Sequence, residues 1–408
     1  MAEIDINKIR KEFPILERKN INNKPLIYFD NAATTPLSPK VFEKMRPFLT
    51  ETYGNASSIH SFGRKARVAV EESRELIADF INANSGEIYF TSGGTEANNF
   101  VVFGIARSEF NESGRNHLIT SEAEHHSVYD SFLELSKNSF NIKFLNVGKD
   151  SVISNELLFQ NINSNTSLIS VMHINNETGS ISPVEQFSSQ LKQKNIFFHT
   201  DSVQSFGKYK IDAKLLGVDS ITASAHKING PKGIGFAYVK SGTPLSPILF
   251  GGSQERNRRG GTENVAAIVG FAEAVRIVKD SMQENLNHVN ELKQRFIKGI
   301  LLIDSEGIII NGGVDTSSYI LSITLRSDYY KNDPENMLMF LDINGVAVSN
   351  GAACSSGTLK PSHVILSTGY SLEDAKGTIR FSFGRQNTIE EVDYTLEVMK
   401  QLTSKFKK

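Results

Sequence analysis

The sequence predicts an α/β fold: a large domain whose mainly parallel sheet is covered by helices, plus a smaller α+β domain. Three observations lead there. The chain has 408 residues, beyond the size at which one hydrophobic core keeps growing. From about residue 25 to 239, short β-branched or aromatic runs alternate with helix-period segments, the pattern of stacked βαβ units. Past a long helical stretch over 264–303, the rhythm changes.

Taken in order, the strands expected of the large domain lie at 26–29, 87–91, 117–120, 142–147, 168–173, 196–199, 220–223 and 235–239. Between them run amphipathic stretches such as 66–81, where Val70, Ile77 and Ile81 recur at helical spacing beside Glu71, Glu72, Arg74 and Glu75. These read as covering helices. The stretch 264–303, weaker near 279–287, reads as the connector. Strands at 308–310, 319–325, 346–349 and 378–382, with a closing helix over 389–405, make the remainder an α+β unit. The expected boundaries are 26–280 for the large domain, with 1–25 and 281–408 forming the small one.

Composition narrows the partners. Forty-four basic against forty-five acidic residues leave a net charge of −1, so no global field draws the chain to nucleic acid or an anionic membrane. A small molecule fits better. The first residues, MAEIDINKIRKEF, hold no apolar core of a signal peptide, and the most apolar run, 266–278, is interrupted by Glu273 and Arg276. A cytoplasmic location is expected. One cysteine excludes an internal disulfide framework and a zinc site built on several thiolates.

Chemistry-bearing types cluster just after expected strands. Ser92-Gly93-Gly94-Thr95-Glu96-Ala97 is a glycine-rich turn entering a helix, either an anion cradle or an ordinary turn and N-cap. Its glycine spacing matches neither the dinucleotide fingerprint nor the P-loop. In His199-Thr200-Asp201-Ser202-Val203-Gln204, Asp201 stands where open α/β sheets collect ligands; it can hold a proton on a heterocyclic nitrogen or cap a turn. Lys227, in Ser224-Ala225-His226-Lys227-Ile228-Asn229-Gly230-Pro231, is either a rigidly held Schiff-base amine or a solvated lysine. Cys354 sits among small polar neighbours, which suits an exposed reactive thiol better than a packed one.

His125, in Glu124-His125-His126, can stack on a ring, move protons or ligate a metal; it can equally be structural. With no helical His-Glu-x-x-His spacing, no metal site is expected from Glu124, His125, His126 and His199. Arg380 lies in an alternating apolar strand and, if inward, needs an anionic partner such as a substrate carboxylate.

In chain order, Asn31-Ala32-Ala33-Thr34-Thr35, Ser-Gly-Gly-Thr-Glu, Glu-His-His, His173-Ile174-Asn175-Asn176-Glu177, Asp201 with Gln204, Lys227, Arg259-Gly260-Gly261-Thr262-Glu263-Asn264 and Cys354 resemble the cysteine desulfurases of the class V aminotransferase group. The resemblance covers nearly the whole chain. It implies a pyridoxal-phosphate transferase of fold type I that converts L-cysteine to L-alanine, with pyridoxal 5'-phosphate held by Lys227 as a Schiff base. Asp201 then resembles the partner of the ring nitrogen, and His125 the ring-stacking histidine with a catalytic share. Gln204 and Asn176 resemble contacts to the ring's phenolic oxygen and nearby substrate atoms. Gly94, Thr95, Ser224 and His226 match the phosphate cradle, and Thr262 a residue reaching it from the second subunit of a homodimer. Asn31 and Arg380 resemble the groups that orient the substrate carboxylate. Cys354 matches the thiol that takes the sulfur as a persulfide and hands it to an acceptor protein, which the sequence does not identify. Its setting, Ala-Ala-Cys-Ser-Ser-Gly, resembles the iron–sulfur-assembly and nitrogenase-associated type, while Lys11-Glu12-Phe13-Pro14 is more like the other type.

Overall fold

The computed structural model describes residues 5–350 and 360–408. Its strands are β1 (Ile27–Tyr28), β2 (Ile88–Thr91), β3 (His117–Ser121), β4 (Asn141–Leu145), β5 (Thr166–Ser170), β6 (Phe197–Asp201), β7 (Ser220–Ser224), β8 (Gly235–Val239), β9 (Ile308–Ile310), β10 (Ile320–Leu325), β11 (Val346–Ala347) and β12 (Thr378–Ser382).

Seven of them form one sheet in the order β2-β8-β7-β6-β5-β3-β4. All its neighbours run parallel except β8, which is antiparallel to both β7 and β2. Successive side chains on a strand face opposite ways, so a sheet covered on both sides needs apolar residues at adjacent positions. The sequence supplies them. Leu118 and Ile119, Leu168 and Ile169, and Ala237 and Phe236 divide between two separate buried clusters, one on each face. Helix Gly94–Ser113 covers one face with Phe100, Val101 and Ile105, and helix Ser61–Phe80 covers the other with Val70 and Ile77.

The strand expected at 26–29 does not enter this sheet. It shortens to β1, pairs in parallel with β11 and sends Ile27 and Phe29 into a third cluster with Phe296, Phe381 and Leu402. That cluster lies against the antiparallel sheet β12-β10-β9 and the closing helix Ile389–Phe406, whose N-terminus carries a capping box between Thr388 and Glu391.

Helix Val265–Asp304 runs 40 residues, continuous through 279–287 where the helical pattern is weaker. Its first half, including Phe271 and Val275, belongs to a large-sheet core, whereas Val289, Leu292 and Phe296 belong to the third cluster. The intervening turns are polar because they cross between cores. Among the described residues, no helix is long and apolar enough to cross a membrane.

Candidate active site

Strands β3, β5, β6 and β7 all point their carboxyl ends the same way, and β2, being antiparallel to β8, joins them. Ligands of open α/β sheets collect at that edge. A cavity of about 370 Å³ lies there, and Gly94, Thr95, His125, Asn176, Asp201, Gln204, Ser224, His226, Lys227 and Arg380 line it. Five separate loops and one strand of the smaller sheet thus converge on one space.

Lys227 follows β7 in a tight 3₁₀ turn, Ala225–Lys227. Its Nζ donates to the carbonyls of Ala32 and Ala33, each at 2.7 Å. Among the described residues it makes no ion pair. Burial, and next the Arg380 guanidinium, push the amine down to about 8 from its usual 10.5. The Asn-Ala-Ala-Thr-Thr segment fixes this turn further: Thr35 donates through N and Oγ1 to the His226 carbonyl, and Thr34 Oγ1 meets His226 Nδ1 at 3.1 Å. Burial and the Lys227 charge lower the His226 imidazole to about 4, so it is neutral near pH 7.

Asp201, at the end of β6, is buried, and each of its oxygens accepts one hydrogen bond. Its Oδ1 accepts from Val203 N–H at 2.9 Å, and its Oδ2 from Asn98 Nδ2 at 2.7 Å. Asn98 is a hub: its Oδ1 accepts from Thr222 Oγ1 at 2.5 Å, and its Nδ2 also reaches Ser127 Oγ at 2.8 Å. The amide orientation is therefore set from both ends. Ser127 in turn meets His125 Nδ1 through both Oγ, at 2.8 Å, and N–H, at 3.1 Å. Nδ1 is occupied as an acceptor, and burial lowers the imidazole's pKa, which leaves Nε2 carrying the proton of a neutral ring.

The glycine turn answers a packing demand. A Cβ on Gly94 would stand 2.8 Å from Val203 Cγ2, and one on Gly235 would stand 2.9 Å from the Gly93 Cα. The turn is pressed against β8 and the loop after β6, and it opens helix Gly94–Ser113, whose first intrahelical donor is Ala97 N–H to the Gly93 carbonyl. The N–H groups before it are free of the helix ladder and suit an anion. Glu96 in this turn pairs with Arg259 at 2.7 Å, tying it to the Arg-Gly-Gly-Thr segment.

Arg380 projects from β12. Its Nη2 lies 2.8 Å from Asp30 Oδ1 and its Nη1 2.8 Å from the Asn176 carbonyl, while the buried Nε has no partner among the described residues. Asn176 Oδ1 is likewise buried without a partner. Glu177 lines the same wall, accepts from Ser362 Oγ, and is raised to about 7 by burial.

Two expected residues lie elsewhere. Asn31 does not line the cavity; its amide donates to Ser382 O, Tyr28 O and Asn387 Oδ1 and accepts from Gln386 Nε2. Thr262 is exposed at the surface. Cys354 falls in 351–359, outside the described residues, although Ser349 and His363 on either side of that segment both line the cavity. Sequence reasoning did not single out Asn98, Ser127, Asp30 or Lys208. Only the i,i+4 spacing of Gly94 and Asn98 on one helix face carried a signal for any of them. Among the described residues, no three His, Cys, Asp or Glu side chains converge to hold a metal ion.

Comparison with known proteins gives the same picture. The family model "Aminotransferase class-V" matches residues 27–395. "Cysteine desulfurase IscS" of Dictyoglomus turgidum is 42% identical over 381 residues, covering 93% of this chain and 95% of the relative. A solved structure titled "NIFS-LIKE PROTEIN" superposes with a TM-score of 0.85 at 33% identity, over 93% of this chain and 100% of its own. Another, "SspA in complex with cysteine", gives 0.77 at 32% identity over 89% and 100%.

Proposed function

The chain belongs to the class V aminotransferase family and, within it, to the cysteine desulfurases; from that premise we propose that it takes L-cysteine, releases L-alanine and leaves the sulfur on Cys354. The observation that carries the reading is Lys227, an amine lowered to about 8 in a cavity that also holds a buried Asp201 oriented by Asn98 and Val203.

Pyridoxal 5'-phosphate fits the residues present. A cradle too tight for a Cβ at Gly94 and a helix start with spare N–H groups suit its phosphate, with Thr95, Ser224 and His226 beside it. Asp201 suits a protonated ring nitrogen, and the partnerless Asn176 Oδ1 and the Gln204 amide suit polar groups on the ring and substrate. When bound, the group supplies an electron sink for the charge left on Cα once its proton is removed.

The protein's own parts follow from geometry. Arg380 would take the substrate carboxylate: Asp30 and the Asn176 carbonyl engage one hydrogen on each Nη, which leaves Nε–H and the second Nη hydrogens as donors. Lys227 Nζ, lowered to about 8 by burial, would be the base that takes the Cα proton of the bound substrate. His125, which lines the cavity with Nδ1 bonded to Ser127, would flank the ring with the proton on Nε2. The thiolate of Cys354 attacks the substrate sulfur; the new S–S bond forms as the C–S bond breaks, so L-cysteine and a protein thiol become L-alanine and a protein persulfide with no outside oxidant.

A homodimer completes the site in this reading, with Thr262 reaching the partner's phosphate. Support comes from the segment bonded beside it, where Gly260 N–H donates to the Leu249 carbonyl and Leu249 and Phe250 are exposed, Phe250 at 80%. The acceptor of the sulfur is a protein not identified by the chain itself, and the location proposed is the cytoplasm.

The test is direct. Purified protein with pyridoxal phosphate should show a visible absorbance band that Lys227→Ala abolishes, and incubation with L-cysteine should add one sulfur atom to the Cys354 peptide by mass spectrometry. Undiminished sulfur release by Cys354→Ser would overturn the persulfide role.

A further inference from the structure

Lys208 is buried beneath the site, 6% exposed, and among the described residues it makes no ion pair. A cation out of water without a carboxylate is costly, so its retention asks for a polar task. Nζ donates to Gln204 Oε1 at 3.0 Å and stands 5.4 Å from the centre of the Tyr319 ring. The charged groups acting on it are Lys227 and Arg380; burial first, and then those two, bring it down to about 7.

Gln204 lines the cavity, and its amide is read the same way from two sides. Nε2 donates to the Ala32 carbonyl at 2.9 Å, an atom that can only accept. Oε1 takes a bond from Lys208, an amine that donates. A flipped amide would set oxygen against oxygen at Ala32 and lose that bond, and it would meet the Lys208 ammonium with its NH2 group. The second Nε2 hydrogen is thereby left as a donor for whatever occupies the cavity. Ala32 O is also an acceptor for Lys227, so Gln204 and Lys227 share that atom and Lys208 joins them through Gln204.

We infer that Lys208 is a positioning residue that holds Gln204 as a hydrogen-bond donor toward an anionic oxygen in the cavity and polarises that amide. The inference rests on the reading that pyridoxal phosphate binds here with its ring oxygen at Gln204. A stronger donor on that oxygen withdraws electrons from the ring and makes the nitrogen joined to Lys227 release its proton at lower pH.

The experiment titrates the visible band of the loaded protein in four forms: wild type, Lys208→Met, Gln204→Leu and the double variant. Methionine keeps the stem volume, and thermal unfolding of the cofactor-free proteins reports folding; Lys208→Gln replaces it where methionine does not fold. Lys208→Met should raise the midpoint by roughly half a pH unit to one unit. In the Gln204→Leu background it should add nothing. A shift of equal size in both backgrounds, or none in either, overturns the inference while leaving the coloured protein and its proposed function intact. A wild type that takes up no colour overturns both.

Discussion

The guanidinium of Arg380 pairs with Asp30 at 2.8 Å, and the backbone of the same arginine is bonded to Ser349, the last cavity residue before the segment that contains Cys354. One strand residue thus touches both the position proposed for the substrate carboxylate and the flank of the thiol's segment. Lysine cannot reproduce this fork, because it offers one point charge where Arg380 spreads five N–H donors, one on Asp30, one on the Asn176 carbonyl and the rest left over. Arg380→Lys should raise KM for L-cysteine roughly tenfold to a hundredfold, the loss of a charge-assisted contact, with the cofactor band unchanged. Steady-state kinetics beside an absorbance spectrum checks it; an unaltered KM would remove the carboxylate role.

Lys227 gives a second prediction with a definite sign. An amine reacts in its neutral form, and burial has brought this one to about 8, so cofactor-free protein should take up pyridoxal phosphate at a rate that climbs through pH 8 rather than near 10.5. Because the Arg380 charge is the next cause of the lowering, Arg380→Met should move that midpoint upward. Stopped-flow absorbance across pH 6 to about 10.5 decides; a midpoint unmoved by Arg380→Met would place the cause elsewhere.

How far the sequence could be read depended on whether the deciding neighbour was local. The large sheet was legible because a strand covered on both faces writes its burial into adjacent residues, as at Leu118 and Ile119. The strand at Ile27–Tyr28 was assigned to the wrong sheet because its partner, Val346–Ala347, lies more than three hundred residues away. The polar turns near 279–287 weaken the helical pattern, yet they hold no glycine or proline and only lack a core to face. Within the site, Asp201 and Lys227 could be singled out because each follows a strand end. Asn98 and Lys208 could not, since a helix asparagine and a turn lysine look solvated until the packing around them is known.

Gly94 tests the cradle. A methyl group there would meet Val203 Cγ2 at 2.8 Å, so Gly94→Ala must push either the turn or the loop after β6. The affinity for pyridoxal phosphate should fall by roughly tenfold, the scale of one disturbed charge-assisted contact. Adding Val203→Ala removes the clashing atom and should recover most of the loss. An absorbance titration of the two single variants and the double measures this; no recovery in the double variant would mean that the clash is not the cause.

Glu124 provides a prediction about stability. Its Oε1 accepts from Met172 N–H at 2.7 Å and Ser121 Oγ at 3.2 Å, and its Oε2 is buried with no partner among the described residues. Burial, with the Asp201 charge adding to it, raises the carboxyl from 4.5 to about 8, so the folded protein holds a proton there at pH 7 that the unfolded chain has released. The sign follows. Between 4.5 and about 8 the folded state binds more protons than the unfolded state, so this group's effect on stability worsens as pH rises through that window and levels off above it. Glu124→Gln cannot ionise, and it keeps the Oε1 acceptor. The variant and wild type should therefore unfold at similar temperatures near pH 5, and the variant should be the more stable of the two at pH 9, by a difference on the order of a few kcal/mol. Glu177, raised to about 7 by burial, slopes the same way but is common to both proteins and drops out of the difference. Melting curves across that range decide the matter: parallel profiles for the two proteins would mean that the Glu124 carboxyl is ionised in the fold and solvated in a way its burial does not allow.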